Sequence, residues 1–342
     1  MRPRINKAMI RMNQRWLASA ERPDWCILRE QHARGDDLAY LWSLPERKLN
    51  ALDILPVSLY RWHYRTLRID KTDLTDDEFR DIGNRMTIFL ESCHYVRNQH
   101  INPIVAVGCD EPCFTLFSAG SFEDRMQLLR RGVFSMGPRC SVQMMRFEPD
   151  DRESLFHDTN LVLLGDVRHF LKPKTLGLGL MQDYGNNVPI DSVAREMLRI
   201  RIQPKLVEQY TGLPQESVTR IKRSLLRTLP YVQSLPGRIQ GATKTLSESP
   251  LDSHLYLAIY RLLAKDALRK TNARAVVTAY QQYEAISSYL GYSEEERISA
   301  SNAYQLSNAL KTGDIALVQC GHCKELTIRD TLRPRCCVWC KN

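Results

Sequence analysis

From residue 190 to residue 310 apolar side chains return every three or four positions, the period of helices with one face turned inward. Tyr256, Tyr260 and Leu263 mark one such face, and Val276, Tyr280 and Tyr283 mark another. Aromatic stripes at this spacing read as core rather than as a binding surface. Ahead of this helical half, residues 171–189 (LKPKTLGLGLMQDYGNNVP) hold three glycines, two prolines and paired asparagines, and read as a linker. Gly177-Leu178-Gly179 is not a nucleotide fingerprint, because no third glycine follows at the required spacing.

Inside the helical half, residues 203–227 (QPKLVEQYTGLPQESVTRIKRSLLR) predict a helix-turn-helix. A short amphipathic helix around 205–210 breaks at Thr211-Gly212, where glycine tolerates the positive φ of a sharp turn. Pro214 is expected in the first turn of the next helix, where a missing N–H costs nothing. Val218, Ile221 and Leu225 then face inward against Leu206, Val207 and Leu213. That leaves Gln215, Ser217, Thr219, Arg220, Arg223 and Arg227 outward, the residue types that meet phosphates and base edges. An ordinary helical hairpin would show the same periodicity, so the charge distribution has to arbitrate.

The N-terminal half carries a faint internal repeat. Residues 43–70 set over 121–148, at a constant offset of 78, share Ser43/Ser121, Arg47/Arg125, Arg61/Arg139 and Arg68/Arg146. Each copy reads as a short helix capped by its serine, then a turn, then a strand, the strands ending at Leu67-Arg68-Ile69 and Met145-Arg146-Phe147. Helix-like stretches, 9–28 and 88–107, precede the two copies.

Charge sharpens the reading of the second half. From Arg195 to Arg274 fifteen Lys/Arg stand against six Asp/Glu, and this excess of nine equals the net charge of +9 of all 342 residues. A concentrated basic block suits a polyanion, since neutralising phosphates releases condensed counterions. No apolar run reaches signal-peptide or membrane-spanning length, so a cytoplasmic protein is expected.

Cysteine supplies the sharpest motif. Cys26, Cys93, Cys109, Cys113 and Cys140 are scattered, whereas Cys320, Cys323, Cys336, Cys337 and Cys340 crowd the last 23 residues. Cys320-Gly-His-Cys323 and Cys337-Val-Trp-Cys340 form two C-x2-C knuckles thirteen residues apart, the spacing of a tetrahedral Zn²⁺ site. Cys336 could replace Cys337, but only Cys337 keeps the two-residue spacing to Cys340. With four protein ligands the site is closed, hence structural. No Walker A, H-E-x-x-H or G-x-S-x-G pattern is present, and an enzyme is not expected.

From about residue 190 onward the chain resembles FlhC, one of the two chains of the bacterial flagellar master activator family. The ordered series runs from 199–226 through Leu235-Pro236-Gly237, Ser253-His254-Leu255-Tyr256 and Tyr260-Arg261-Leu262-Leu263. It continues with 280–283, Ala303-Tyr304-Gln305-Leu306 and Gly313-Asp314-Ile315, and ends in the paired C-x2-C. Residues 42–70 and 119–148 resemble the other chain, FlhD, more weakly. Arg65 and Gln143 replace the cysteine of the FlhD strand, so its interchain disulfide is not carried over.

The expected architecture is mainly α. FlhD-like scaffold units span 1–80 and 81–170, a linker 171–189, an FlhC-like helical DNA-binding domain 190–315 and a four-cysteine zinc-binding region 316–342. The resemblance implies a homodimeric transcription activator of flagellar or conjugative-transfer genes. It would bind double-stranded promoter DNA and contact RNA polymerase through the C-terminal domain of the polymerase α chain, on the nucleoid and with no membrane partner. The DNA contacts expected are Arg201, Lys205, Ser217, Thr219, Arg220, Lys222, Arg223 and Arg227, and the ligands of one structural Zn²⁺ are Cys320, Cys323, Cys337 and Cys340. The competing expectation is a zinc-stabilised scaffold that binds protein and not DNA.

Overall fold

The computed structural model describes residues 40–41, 43–65, 101–108, 121, 123, 133–170, 189–229, 231, 239–264, 267–331 and 337–340. The chain is mainly helical and divides into two compact units, Met1–Gly179 and Leu180–Asn342. The boundary falls inside the stretch expected as a linker, of which 171–188 lies outside the described residues.

In the first unit the described elements are α1 (Glu46–Ile54), β1 (Tyr60–Arg65), α2 (Pro103–Val107), β2 (Val133–Pro138), a 3-10 turn (Val142–Met144) and α3 (Arg152–Phe170). β1 and β2 pair antiparallel from Tyr60↔Pro138 to Arg65↔Val133, and Arg139 N donates to Leu59 O at 2.9 Å just beyond. Pro138 stands 78 residues after Tyr60, so this ladder pairs Tyr60 with its own counterpart in the repeat. A two-fold arrangement of two similar segments produces that kind of self-pairing.

A buried ion triad ties the unit together. Asp166 of α3 receives Arg61 Nε on Oδ1 and Arg139 Nε on Oδ2, both at 2.6 Å. Arg139 also donates to the carbonyl of Ser58 (3.0 Å) and to those of Ala106 (3.0 Å) and Val105 (2.8 Å), the last two at the C-terminal end of α2. Burial alone would raise the Asp166 carboxyl, yet the two guanidiniums outweigh it and hold it below its ordinary value. The packing leaves no room for larger neighbours, because a Cβ at Gly165 would lie 1.8 Å from the Arg139 carbonyl oxygen.

Two expectations need correction here. Ser43 does not cap α1, since its hydroxyl donates to Tyr40 O at 2.7 Å and the helix starts after Pro45. Met145-Arg146-Phe147 is not a strand, because Arg146 N and Phe147 N donate to the Asp158 carboxylate (2.9 and 3.0 Å) instead of entering a ladder. Of the remaining expected elements, 9–28, 66–69 and 88–100 lie outside the described residues.

The second unit contains α4 (Ile190–Arg199), α5 (Pro204–Thr211), α6 (Gln215–Thr228), α7 (Ala242–Glu248), α8 (Pro250–Leu263), α9 (Ala273–Tyr289), α10 (Ala300–Thr312), β3 (Ile315–Gln319) and β4 (Leu326–Asp330). α8 is the central element: every residue from Asp252 to Tyr260 is buried, and α7, α9 and α10 pack around it. Both aromatic stripes are core, as their period implied. Their hydroxyls find partners inside it: Tyr256 meets Ser307 (2.7 Å), Tyr280 donates to Ile298 O (3.1 Å), and Tyr283 donates to Asp252. β3 and β4 form an antiparallel ribbon, Ile315↔Asp330 to Gln319↔Leu326.

Breaking the ion triad at one member strands buried charge. Asp166→Ala should cost the first unit roughly 3–5 kcal/mol in chemical denaturation, whereas replacing all three members by Met, Met and Leu should cost markedly less. Equal losses in the two variants would contradict the triad's role.

On α8 two buried groups titrate in one pH window with opposite signs. Burial raises Asp252 from 3.8 to about 6, so the folded chain keeps a proton the unfolded chain releases, and this contribution to stability falls as pH rises through the window. Burial lowers His254 from 6.5 to about 4, so the unfolded chain takes a proton the folded chain refuses, and this contribution rises with pH. Asp252→Asn should therefore steepen the rise of Tm between pH 4 and 6.5, and His254→Gln should flatten it, as thermal melts across that range will show.

Candidate metal centre and nucleic-acid interface

The cysteine cluster is assembled by the β3–β4 ribbon. β3 delivers Cys320, and Lys324 N bonds back to Cys320 O at 3.0 Å while Lys324 adopts φ 61°. This left-handed residue turns the chain back into β4 and leaves the Cys320 and Cys323 sulfurs on one side. The second knuckle is a turn closed by Cys340 N donating to Cys337 O at 3.2 Å.

All four sulfurs lie within 4.8 Å of one another. Cys320 Sγ is 3.9 Å from Cys340 Sγ, and Cys323 Sγ is 3.4 Å from Cys337 Sγ. None is in a disulfide. A tetrahedron around an ion about 2.3 Å from each sulfur has edges of about 3.8 Å, so the separations fit one shared cation. The four cysteines could hold a metal ion. Cys337 takes the fourth place, and Cys336 lies outside the described residues.

The thiols are unequal. Backbone N–H groups of Cys323 and His322 draw Cys320 down to about 5, while burial and the neighbouring sulfurs push Cys337 upward. One sulfur is thus ready as thiolate, whereas Cys323 and Cys337, both raised by burial, need a cation to share the negative charge. His322 is exposed, and its backbone N–H is one of the two that lower Cys320.

A hydrogen-bonded key joins this cluster to α8. Trp339, inside the second knuckle, donates Nε1–H to Leu326 O at 3.1 Å and sets its ring edge-on to His254, centroids 5.5 Å apart. His254 donates from Nδ1 to Pro250 O (2.6 Å), and its Nε2 accepts from Ile328 N and Thr327 Oγ1 (3.0 Å each). That neutral tautomer agrees with the lowered pKa. Sequence reasoning missed this connection, whose only sign was an aromatic residue placed between two ligands.

The second candidate site is the three-helix group α4, α5 and α6, which pack on one another. α5 ends at Gly212 with φ 69°, and Gly212 N closes on Glu208 O at 2.8 Å. Pro214 precedes α6 and does not enter its first turn; its ψ of 148° is still extended, and the helix begins at Gln215. Leu206, Val207, Val218 and Leu225 are buried as expected, with Leu213 and Ile221 half-buried.

The expected DNA contacts do not all share one face. Arg220, Arg223 and Arg227 are exposed on α6, as is Gln215, and Lys205 is exposed on α5. Ser217, Thr219 and Lys222 are half-buried. None of the three arginines makes an ion pair among the described residues. Arg201 stands apart: at φ 69° in the α4–α5 turn, its guanidinium pairs with Glu294 and lies 6.0 Å from the Tyr231 ring centroid. It braces the turn, a role hidden from the sequence because Glu294 is 93 residues away. Arg195 and Arg199 of α4, not among the expected contacts, are also exposed.

Comparison with protein-family models, curated proteins and solved structures finds no match to the chain. Among the described residues no helix is long and apolar enough to cross a membrane.

Cys320→Ser removes the sulfur best prepared as thiolate. Elemental analysis of the purified variant should show loss of bound metal, and Trp339 beside the cluster should report a loosened ribbon by its fluorescence. A full metal complement in that variant would contradict the ligand set.

Proposed function

We propose that the chain is a DNA-binding transcription activator of the FlhC/FlhD type, acting as a homodimer in the cytoplasm on the nucleoid. One structural zinc ion is held by Cys320, Cys323, Cys337 and Cys340. Four thiolates suit zinc, and with every position filled by protein the ion stiffens the ribbon and leaves no place for substrate, so we propose no enzymatic role.

The observation that carries the reading is the arginine row on α6. Arg220, Arg223 and Arg227 project from the exposed side of a helix-turn-helix group, with no ion pair among the described residues. Like charges stacked at i, i+3 and i+7 repel one another slightly in the free protein, and a polyanion relieves that repulsion. A second helix of this kind enters the major groove while the first crosses the backbone. The first unit then serves as scaffold. A dimer would place two such groups on promoter DNA, where RNA polymerase is recruited through the C-terminal domain of its α chain.

The test is a mobility shift on duplex promoter fragments at low salt with the full, metal-loaded chain. The wild type should shift DNA, and Arg220→Ala/Arg223→Ala should weaken binding by about ten-fold or more. A wild type that shifts no fragment overturns DNA binding and favours a zinc-stabilised protein scaffold.

A further inference from the structure

Glu216 interrupts the positive face of α6 at its leading end. It lies in the first turn, is exposed, and shares a face with Arg220, Arg223 and Arg227 at i+4, i+7 and i+11. The opposite side of the helix, at Val218 and Leu225, is buried. Glu216 stands N-terminal to Arg220 in the favoured i, i+4 orientation, yet the two form no ion pair within 4.0 Å. Its carboxylate therefore points outward with the arginines and is not spent on them.

A carboxylate there works against the rest of the face. Every phosphate that Arg223 or Arg227 attracts repels Glu216, so binding through the backbone alone is weakened by its presence. In duplex DNA the groups able to satisfy a carboxylate are the exocyclic amines on the base edges. In the major groove these are cytosine N4 and adenine N6, and guanine N7 and O6 or thymine O4 would repel it. The N-terminal residues of the second helix are the ones that reach base edges in this motif.

We infer that Glu216 is a specificity-determining residue that accepts a hydrogen bond from the N4 amine of a cytosine and penalises duplexes lacking one at that place; the inference rests on the DNA-binding reading above. Arg220, one turn further on, suits the O6 and N7 of a neighbouring guanine, while Arg223 and Arg227 take phosphates. Glu216 also favours helix formation through the dipole of α6, and that structural role alone would leave base preference untouched.

The experiment is selection of duplexes from a randomised pool by the full, metal-loaded chain, with sequencing of the bound fraction and a parallel thermal melt. The wild type should enrich cytosine at one position by about ten-fold over the other bases. Glu216→Ala should lose that enrichment and bind an unselected duplex about three-fold more tightly at low salt, one repulsive charge having gone. Glu216→Gln, whose amide both donates and accepts, should move the preference at that position toward adenine. If both variants recover the wild-type base profile and the wild-type affinity for unselected DNA, Glu216 is a helix-stabilising residue and the inference is overturned, whatever the melts show. If the wild type itself recovers no duplex, the DNA-binding reading fails and the inference fails with it.

Discussion

Four sulfur atoms within 4.8 Å of one another, with no disulfide among them, set an electrostatic condition that a shared cation meets. The ribbon that carries Cys320 and Cys323 is two strands wide, and an isolated two-stranded ribbon is marginal in water. Its rigidity would come from such a shared cation and from what the ribbon leans on. Trp339 and His254 supply the second part, because the knuckle seats its indole against a helix whose residues from Asp252 to Tyr260 are all buried. α9 packs on that helix and on α4, which opens the three-helix group. A continuous set of packed elements therefore runs from the cysteine cluster to the arginine face of α6.

The first unit meets a different electrostatic condition. Asp166 lies between two guanidiniums, each filling one carboxylate oxygen, and Arg139 spends its remaining N–H groups on backbone carbonyls. Such a cluster specifies an arrangement more than it adds stability, since apolar residues of similar volume would serve as well energetically. The two arginines occupy equivalent positions of the repeat, at 61 and 139, and flank the self-paired start of the β1–β2 ladder. One carboxylate serves both arginines.

What could be read from the chain divides by the range of the interaction. The paired C-x2-C spacing brings two sulfurs together within a single turn, and Val218 and Leu225 declare the inward face of α6 by period alone; both are local and both were legible. The aromatic stripes of α8 and α9 were legible as core for the same reason. The remainder depends on partners far along the chain. Arg61 meets Asp166 across 105 residues, and Arg201 meets Glu294 across 93, so an arginine expected to face DNA is found bracing a turn. Met145-Arg146-Phe147 has strand-like composition but loses two ladder donors to Asp158, eleven and twelve residues downstream. Propensity describes what a segment prefers, and a buried carboxylate with unfilled lone pairs can outbid it.

The central claim is that α6 presents its arginines to the backbone and bases of a duplex. Counterion release makes that claim measurable through the salt dependence of binding by the metal-loaded chain, followed by fluorescence anisotropy on a labelled duplex. Log K should fall linearly with log salt, with a slope of about −0.9 for each phosphate neutralised, and the slope should become shallower by roughly two units when Arg223 and Arg227 are both replaced by alanine. A slope near zero, or one that the double replacement leaves unchanged, would contradict it.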